Sequence, residues 1–299
     1  APVHLSTMDE GSKVASADSI VLTGLGHVLG APCDPRLFLR VRKNRKFMGL
    51  QDDLAVVAAG HALKSAGLAD TALGERTGLY LAVGYIPFEH TDLDSLMEGS
   101  LSNGNLSMEL FSTTGYNAIN PLLTFRCLSN MPAFHISVNF DVQGPYFVTY
   151  PGIGQFYQAL EQARAVLTAG EVDIALVGAV AAQRNFLVEH HHARLQPPVS
   201  AEVLADVAGC LVLETESHAR ERDATVRGRL LRHDLAYQPF NPFEHQPEFH
   251  EQFDGGELPH GELGPASLAV GLSLNPSCVL RHEAQTRDGF RVASQWELV

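Results

Sequence analysis

Gly144-Pro145-Tyr146-Phe147-Val148-Thr149-Tyr150 is followed by an amphipathic run from Ile153 to Leu167, and then by Val172-Asp-Ile-Ala-Leu-Val-Gly-Ala-Val180. The first piece reads as a short apolar and aromatic strand opened by a Gly-Pro turn. In the second, Ile153, Phe156, Tyr157, Leu160, Ala163 and Leu167 recur at the helical period, and Gly170 ends the helix. The third is an unbroken apolar run of the kind that forms a strand covered on both faces. Strand, helix and strand in this order predict an α/β fold with mainly buried sheets.

Working outward, Ser19 to Gly26 predicts a buried strand ending in a glycine turn. Gln51 to Ala66 predicts a helix, with Asp52 and Asp53 in its first turn and Gly67 as its C-cap. Thr77 to Gly84 is a second strand, and residues 85–115 read as loop and short helix. Asn120 to Gly144 reads as helix broken at Pro121 and Pro132. Downstream, Val207–Glu214 and Thr225–Leu231 read as strands, 234–261 as a long loop, 263–274 as a helix, and 277–283 and 290–298 as closing strands. Residues 1–17 are polar and non-periodic and read as a tail, which leaves 18–299 as the folded part.

The chain has 299 residues, 45% hydrophobic and 18% charged, within the range of globular proteins. Its 21 basic against 34 acidic residues give a net charge of −13, which argues against a general nucleic-acid or membrane-surface binder. The most apolar stretch, Ile174 to Ala182, is too short to cross a membrane. Ala1 to Met8 lacks a basic region followed by an apolar one, so no signal peptide is expected. Cys33, Cys127, Cys210 and Cys278 form no CxxC pair, so neither a disulfide framework nor a zinc site is expected, and a cytoplasmic location fits.

The order and spacing of several pieces carry a resemblance. Asn130-Met131, Gly144-Pro145, the strand, the helix and Gly170-Glu-Val-Asp-Ile-Ala-Leu-Val-Gly-Ala come in sequence. Met48-Gly-Leu-Gln-Asp-Asp-Leu-Ala-Val-Val-Ala-Ala, Val207-Ala-Gly-Cys-Leu-Val-Leu-Glu214 and Gly261-Glu-Leu-Gly264-Pro-Ala-Ser267 add three more. Together they resemble the ketoacyl synthases of the thiolase superfamily over most of residues 18–299. The resemblance implies a thiolase-like layered α/β/α/β/α fold, with similar halves at 18–216 and a shortened 217–299. The losses fall around residues 30–45, 190–207 and 235–260.

That family places a cysteine at the helix N-terminus after the Gly-Pro strand, where N–H groups and the helix dipole favour a thiolate. By resemblance this position falls on Ile153, which offers no nucleophile. Gln155, two residues later, does not align with it. Two histidines that stabilise an enolate are also expected. The His-Gly-Thr motif of the first is absent, and the second aligns with Gly261, one residue from His260. The glycine-rich turn near Gly289-Phe290 is reduced. No catalytic residue, cofactor or metal is therefore expected.

Other candidates have plainer readings. His190-His191-His192 reads as a solvated loop, since consecutive histidines cannot all face one ion. Cys127 reads as a buried structural thiol. Gly24, Gly26, Gly152 and Gly154 make no phosphate loop, because no Lys-Ser/Thr follows. Six of the 21 basic residues lie between Arg36 and Lys46, a solvated face or an attraction for an acidic carrier protein.

The resemblance implies a silent ketosynthase-like subunit, called a chain length factor, that pairs with an active ketosynthase as a heterodimer or heterotetramer. The shortened, cysteine-less form most resembles the partners found in polyene and aryl polyene pathways. The expected interface is the strand Tyr146, Phe147, Val148, Thr149 and Tyr150. The expected tunnel residues are Ile119, Leu122, Leu123, Phe125 and Arg126, with Tyr146. Acyl carrier protein is expected to act through the complex. The alternatives are a free-standing thiolase-fold acyltransferase or decarboxylase with relocated catalytic residues, or a structural homodimer.

Overall fold

A computed structural model of the chain describes residues 18–30, 33–151, 154–241, 245, 247–248, 250–253, 268–269, 272 and 279–299. In chain order it has β1 (Ile20–Leu29), α1 (Leu50–Ser65), β2 (Thr77–Val83), α2 (His90–Ser100), and the small hairpin β3 (Leu101–Ser102) and β4 (Asn105–Leu106). Then come α3 (Met108–Leu110), a π-helical turn, α4 (Tyr116–Ala118), α5 (Leu123–Arg126), α6 (Met131–Phe140), β5 (Tyr146–Thr149), α7 (Gly154–Thr168) and β6 (Ile174–Ala182). The rest is α8 (Phe186–Ala193), β7 (Asp206–Thr215), α9 (Glu216–Glu221), β8 (Gly228–Tyr237), β9 (His250–Phe253), β10 (Val279–Gln285) and β11 (Phe290–Leu298).

A nine-stranded sheet runs β5-β2-β6-β7-β1-β8-β11-β10-β9. Strand β2 is parallel to both β5 and β6, and every other pairing in the sheet is antiparallel. One core lies between α1, α6 and the β2-β6-β7 region. The other surrounds α7, whose Phe156, Tyr157, Leu160, Ala163 and Leu167 pack with Leu280, Val292 and Trp296 of β10 and β11 as well as with Tyr80, Val177 and Leu211. The helix thus lies between the first five strands and the last ones, as in the layered fold expected. Beyond the last strands, no helix among the described residues forms a further layer. There the β10 side chains alternate, with Leu280, His282 and Ala284 buried and Val279, Arg281 and Glu283 exposed.

Several expectations need correction. Strand β1 does not turn at Gly26 but runs on to Leu29. A Cβ on Gly24 would lie 2.3 Å from the Ala62 carbonyl oxygen, and one on Gly26 2.3 Å from that of Ala58, so these glycines let α1 press against the strand. Pro132 opens α6 in its first turn, where its missing N–H costs nothing, and residues 119–130 are mostly irregular rather than helical. Strand β8 reaches Tyr237 and β9 pairs with β10, both within the stretch read as loop. His190–His192 lie on α8, not in a loop. Of the helix expected at 263–274, the described Leu268, Ala269 and Leu272 are helical and buried in the α7 core.

Candidate functional site

The site is built on the start of α7, where β5 delivers the chain. The Thr149 hydroxyl donates to the Gln155 carbonyl oxygen (3.2 Å) and ties strand end to helix start. Over this helix end folds the β10–β11 turn. The Gly154 N–H donates to Asp288 Oδ1 (3.1 Å), Gln155 Nε2 to Asp288 Oδ2 (3.5 Å), and the Thr286 hydroxyl to Asp288 Oδ1 (2.5 Å). The packing is close: a Cβ on Gly154 would lie 2.2 Å from Asp288 Oδ1 and 2.5 Å from both the Phe290 ring and Thr286 Oγ1. Burial raises the Asp288 carboxyl above its ordinary value, and the bonds from Thr286, Gly154 and Gln155 offset only part of that rise. The space over the helix end is therefore filled by the chain's own carboxylate and aromatic ring. Ile153, His260 and Gly261 lie outside the described residues.

At the ends of the parallel strands sits an aromatic and histidine cluster. Tyr85, two residues past β2, shares a 2.9 Å hydrogen bond with His191 Nε2 and lies edge-on to Tyr150 at 6.2 Å. His192 is buried, and burial pushes it down to about 4. Among the described residues no group of three or more His, Cys, Asp or Glu is placed to hold a metal.

Deeper along α7, a second polar set contains the residue types of a hydrolase triad. His282 Nε2 lies 2.9 Å from Glu251 Oε1, and His282 Nδ1 lies 3.3 Å from Ser294 Oγ. His282 has no exposed surface, Phe253 stacks on its ring, and the Trp296 indole N–H donates to Ser294 Oγ (3.2 Å). Among the described residues this set is largely buried, and it clamps β9 and β10 to Tyr157 of α7.

The five tunnel candidates differ in exposure. Leu123 is buried, Ile119 and Leu122 are half-buried, and Phe125 stands 42% exposed with its ring edge-on to Phe47. Arg126 is ion-paired with Asp92 and lines a shallow open cleft with Asp52, Glu89, Leu128 and Pro132. Asp52 is pushed up to about 7 by burial, although it accepts the Gly49 N–H that closes the helix cap. In β5, Tyr146 is 67% exposed, whereas Phe147 and Val148 each pack partly on a core and Thr149 is buried. The basic segment forms two exposed 3₁₀ turns, in which Arg45 pairs with Asp53 (2.6 Å). Cys127 is half-buried rather than buried, and burial raises its thiol; Cys210 is fully buried and pushed up to about 12.

The sequence gives a partial signal for the plug, because Asp288-Gly289 between two strands marks a tight turn. Nothing in it points to a contact with Gly154, far away in the chain.

A family model described as the beta-ketoacyl synthase N-terminal domain matches residues 22–219, well over half of the chain. The chain belongs to the beta-ketoacyl synthase family. Its fold is similar to a structure described as AntDE:AntF, a type II PKS acyl-carrier protein in complex with its ketosynthase, with TM-score 0.70 and 13% identity over 94% of this chain and 100% of that one. It is also similar to the ishigamide ketosynthase/chain length factor, with TM-score 0.64 and 16% identity over 95% of this chain and 100% of that one. A beta-ketoacyl synthase from Burkholderia phymatum STM815 aligns with TM-score 0.50 and 19% identity, over 74% of this chain and 64% of that one. Within the family fold, the plugged start of α7 is the helix end after the Gly-Pro strand. Among the described residues no helix is long and apolar enough to cross a membrane.

Proposed function

We propose that this beta-ketoacyl synthase family member is a catalytically silent subunit, a chain length factor. It pairs with an active ketosynthase and shapes the tunnel in which the acyl chain grows. Residues 18–299 form one domain with halves meeting at 216, and the protein works in the cytoplasm. The observation that carries the reading is the combination at β5 and α7. The helix end that would present a nucleophile is plugged by Asp288 and Phe290, while the preceding strand is a sheet edge with Tyr146 exposed. A sheet edge bearing large apolar side chains calls for a partner. On α6, Phe134 and Val138 stand one turn apart and exposed, which adds apolar surface. The likeness to a ketosynthase/chain length factor structure supports the type of partner. The carrier protein in the other similar structure supports the view that Arg36–Lys46 attracts an acidic carrier.

The tunnel role is tested by the product lengths of the reconstituted pair. Ile119→Ala, Leu122→Ala and Phe125→Ala are compared, and the one at the tunnel floor lengthens the product because truncation leaves room. Thr124→Trp shortens it. Truncating a candidate that is ordinary core instead costs about 2–5 kcal/mol of stability and leaves length unchanged. Unchanged length in all three, with a shift from a partner-subunit mutation, would make this chain a scaffold and not the ruler.

A further inference from the structure

Ordering a segment costs conformational entropy, which buried apolar side chains ordinarily offset. Residues 84–122 take in α2, the β3–β4 hairpin, α3 and α4, yet only Ser100 and Gly115 among them are buried. Apolar side chains are present in this lobe but open to solvent: Met97, Leu101, Leu106, Met108 and Tyr116 are 40–67% exposed. Apolar surface left open on this scale marks a contact with another molecule. The lobe also carries one sign of charge. Between Arg76 and Arg126 the chain has five acidic residues and no lysine or arginine.

A complementary surface lies on the same chain. Residues 36–46 hold six basic residues and no acidic one, and Leu37 and Val41 stand exposed among them. Arg36, Arg40 and Arg45 are paired with Asp34, Asp141 and Asp53. Arg42 and Lys43 are exposed and have no ion pair among the described residues. The basic turns and the lobe adjoin. The Phe47 ring meets the Phe125 ring at 5.2 Å, and the next residue, Arg126, is ion-paired with Asp92 of α2. We propose that these two patches form a contact between two copies of this chain, the acidic lobe of each lying on the basic turns of the other. Copies related by a two-fold axis make such a contact twice. Lobe on lobe, or turns on turns, would oppose like charges. The contact uses no residue of β5 and does not depend on the chain length factor reading. Under that reading it joins two ketosynthase pairs into a heterotetramer. An acidic carrier protein then competes with the lobe for the basic turns.

The test is sedimentation velocity of the full chain alone. The natural chain sediments as a dimer at ~50 mM salt and shifts toward monomer at ~500 mM, because salt screens exposed charges. Arg42→Glu with Lys43→Glu, and separately Asp94→Lys with Glu98→Lys, each weaken self-association at least about 10-fold. All four side chains are exposed, so circular dichroism stays that of the natural chain. The four changes together bring self-association back, because opposite charges face each other again. Arg220→Glu on α9, whose neighbour Arg222 contacts the far end of α1 at Ala66, leaves it unchanged. A natural chain that stays monomeric at low salt overturns the proposal, as does a dimer indifferent to salt. A dimer indifferent to either reversal, or one that the four changes together fail to restore, overturns it too. Co-expression with a ketosynthase separates the remaining occupant. If the lobe reversal abolishes that pairing and leaves self-association intact, the lobe belongs to the ketosynthase and the proposal falls.

Discussion

Val148→Pro is expected to abolish stable pairing with a ketosynthase subunit while leaving this chain folded. The Leu79 N–H donates to the Pro145 carbonyl oxygen (3.0 Å), and β2 pairs in parallel with β5 in the register Leu79↔Tyr146 to Ala82↔Thr149. In a parallel ladder the residues that bond one neighbour alternate. Phe147 and Thr149 therefore direct their N–H groups to β2, while Tyr146 and Val148 direct theirs to the open edge. Proline at 148 removes an outward donor and keeps the inner ladder, the arrangement in which an edge strand tolerates it. The preceding Phe147 is already extended, as a residue before proline must be. Association should weaken at least about 100-fold, roughly 3 kcal/mol, for a strand that pairs across the subunit boundary. Size-exclusion chromatography of the co-expressed pair reads this directly, with Val148→Thr as the variant that keeps the donor. An intact complex with proline at 148 would place the interface elsewhere.

Glu214→Ala should be the most destabilising polar substitution in the chain. Glu214 ends the Val-Ala-Gly-Cys-Leu-Val-Leu-Glu strand and has no exposed surface. Arg222 Nε and Nη2 grip its two oxygens (2.8 and 2.5 Å), His218 Nδ1 lies 2.7 Å away, and the Thr23 hydroxyl donates to it. Arg222 also donates to the Ala66 carbonyl oxygen (3.0 Å), so one carboxylate ties together β7, α9, β1 and the end of α1. Removing it leaves the guanidinium largely buried without its partner, at a cost of about 3–5 kcal/mol. Burial alone would raise the Glu214 carboxyl, but Arg222, Thr23 and His218 together hold it below its ordinary value. Its stabilisation is therefore present above the unfolded value of about 4.3 and is lost as pH falls through the lower folded value. Urea unfolding should show a gap between Glu214→Gln and the natural chain at pH 7 that closes in strong acid. A gap that persists unchanged there would mean that charge is not what Glu214 contributes.

The elements around the decisive stretch were legible because their periods are strong. The 3.6-residue recurrence from Phe156 to Leu167 and the apolar run of β6 leave little choice of structure. Glycine and proline were harder to place. A glycine that turns the chain and one that lets a helix approach look alike in sequence, and Gly26 is of the second kind. Pro132 likewise breaks a helix in the interior but suits its first turn, and only the chain's path through the fold distinguishes the two. His192 reads as polar yet is buried on α8 beside Tyr85, since an imidazole kept neutral packs as an aromatic ring. The plug over α7 was illegible for a different reason. It joins Gly154 to Asp288 across the whole second half of the chain, and no local pattern encodes such a contact.

This family member is proposed to contribute to condensation only as a partner. The direct measurement is the assay of acyl and malonyl carrier-protein substrates by the purified chain alone, and then by the same chain reconstituted with a ketosynthase that has its cysteine and two histidines. No elongated product from the chain alone, and elongation from the pair, is the result predicted. Elongation by the chain alone would contradict the account.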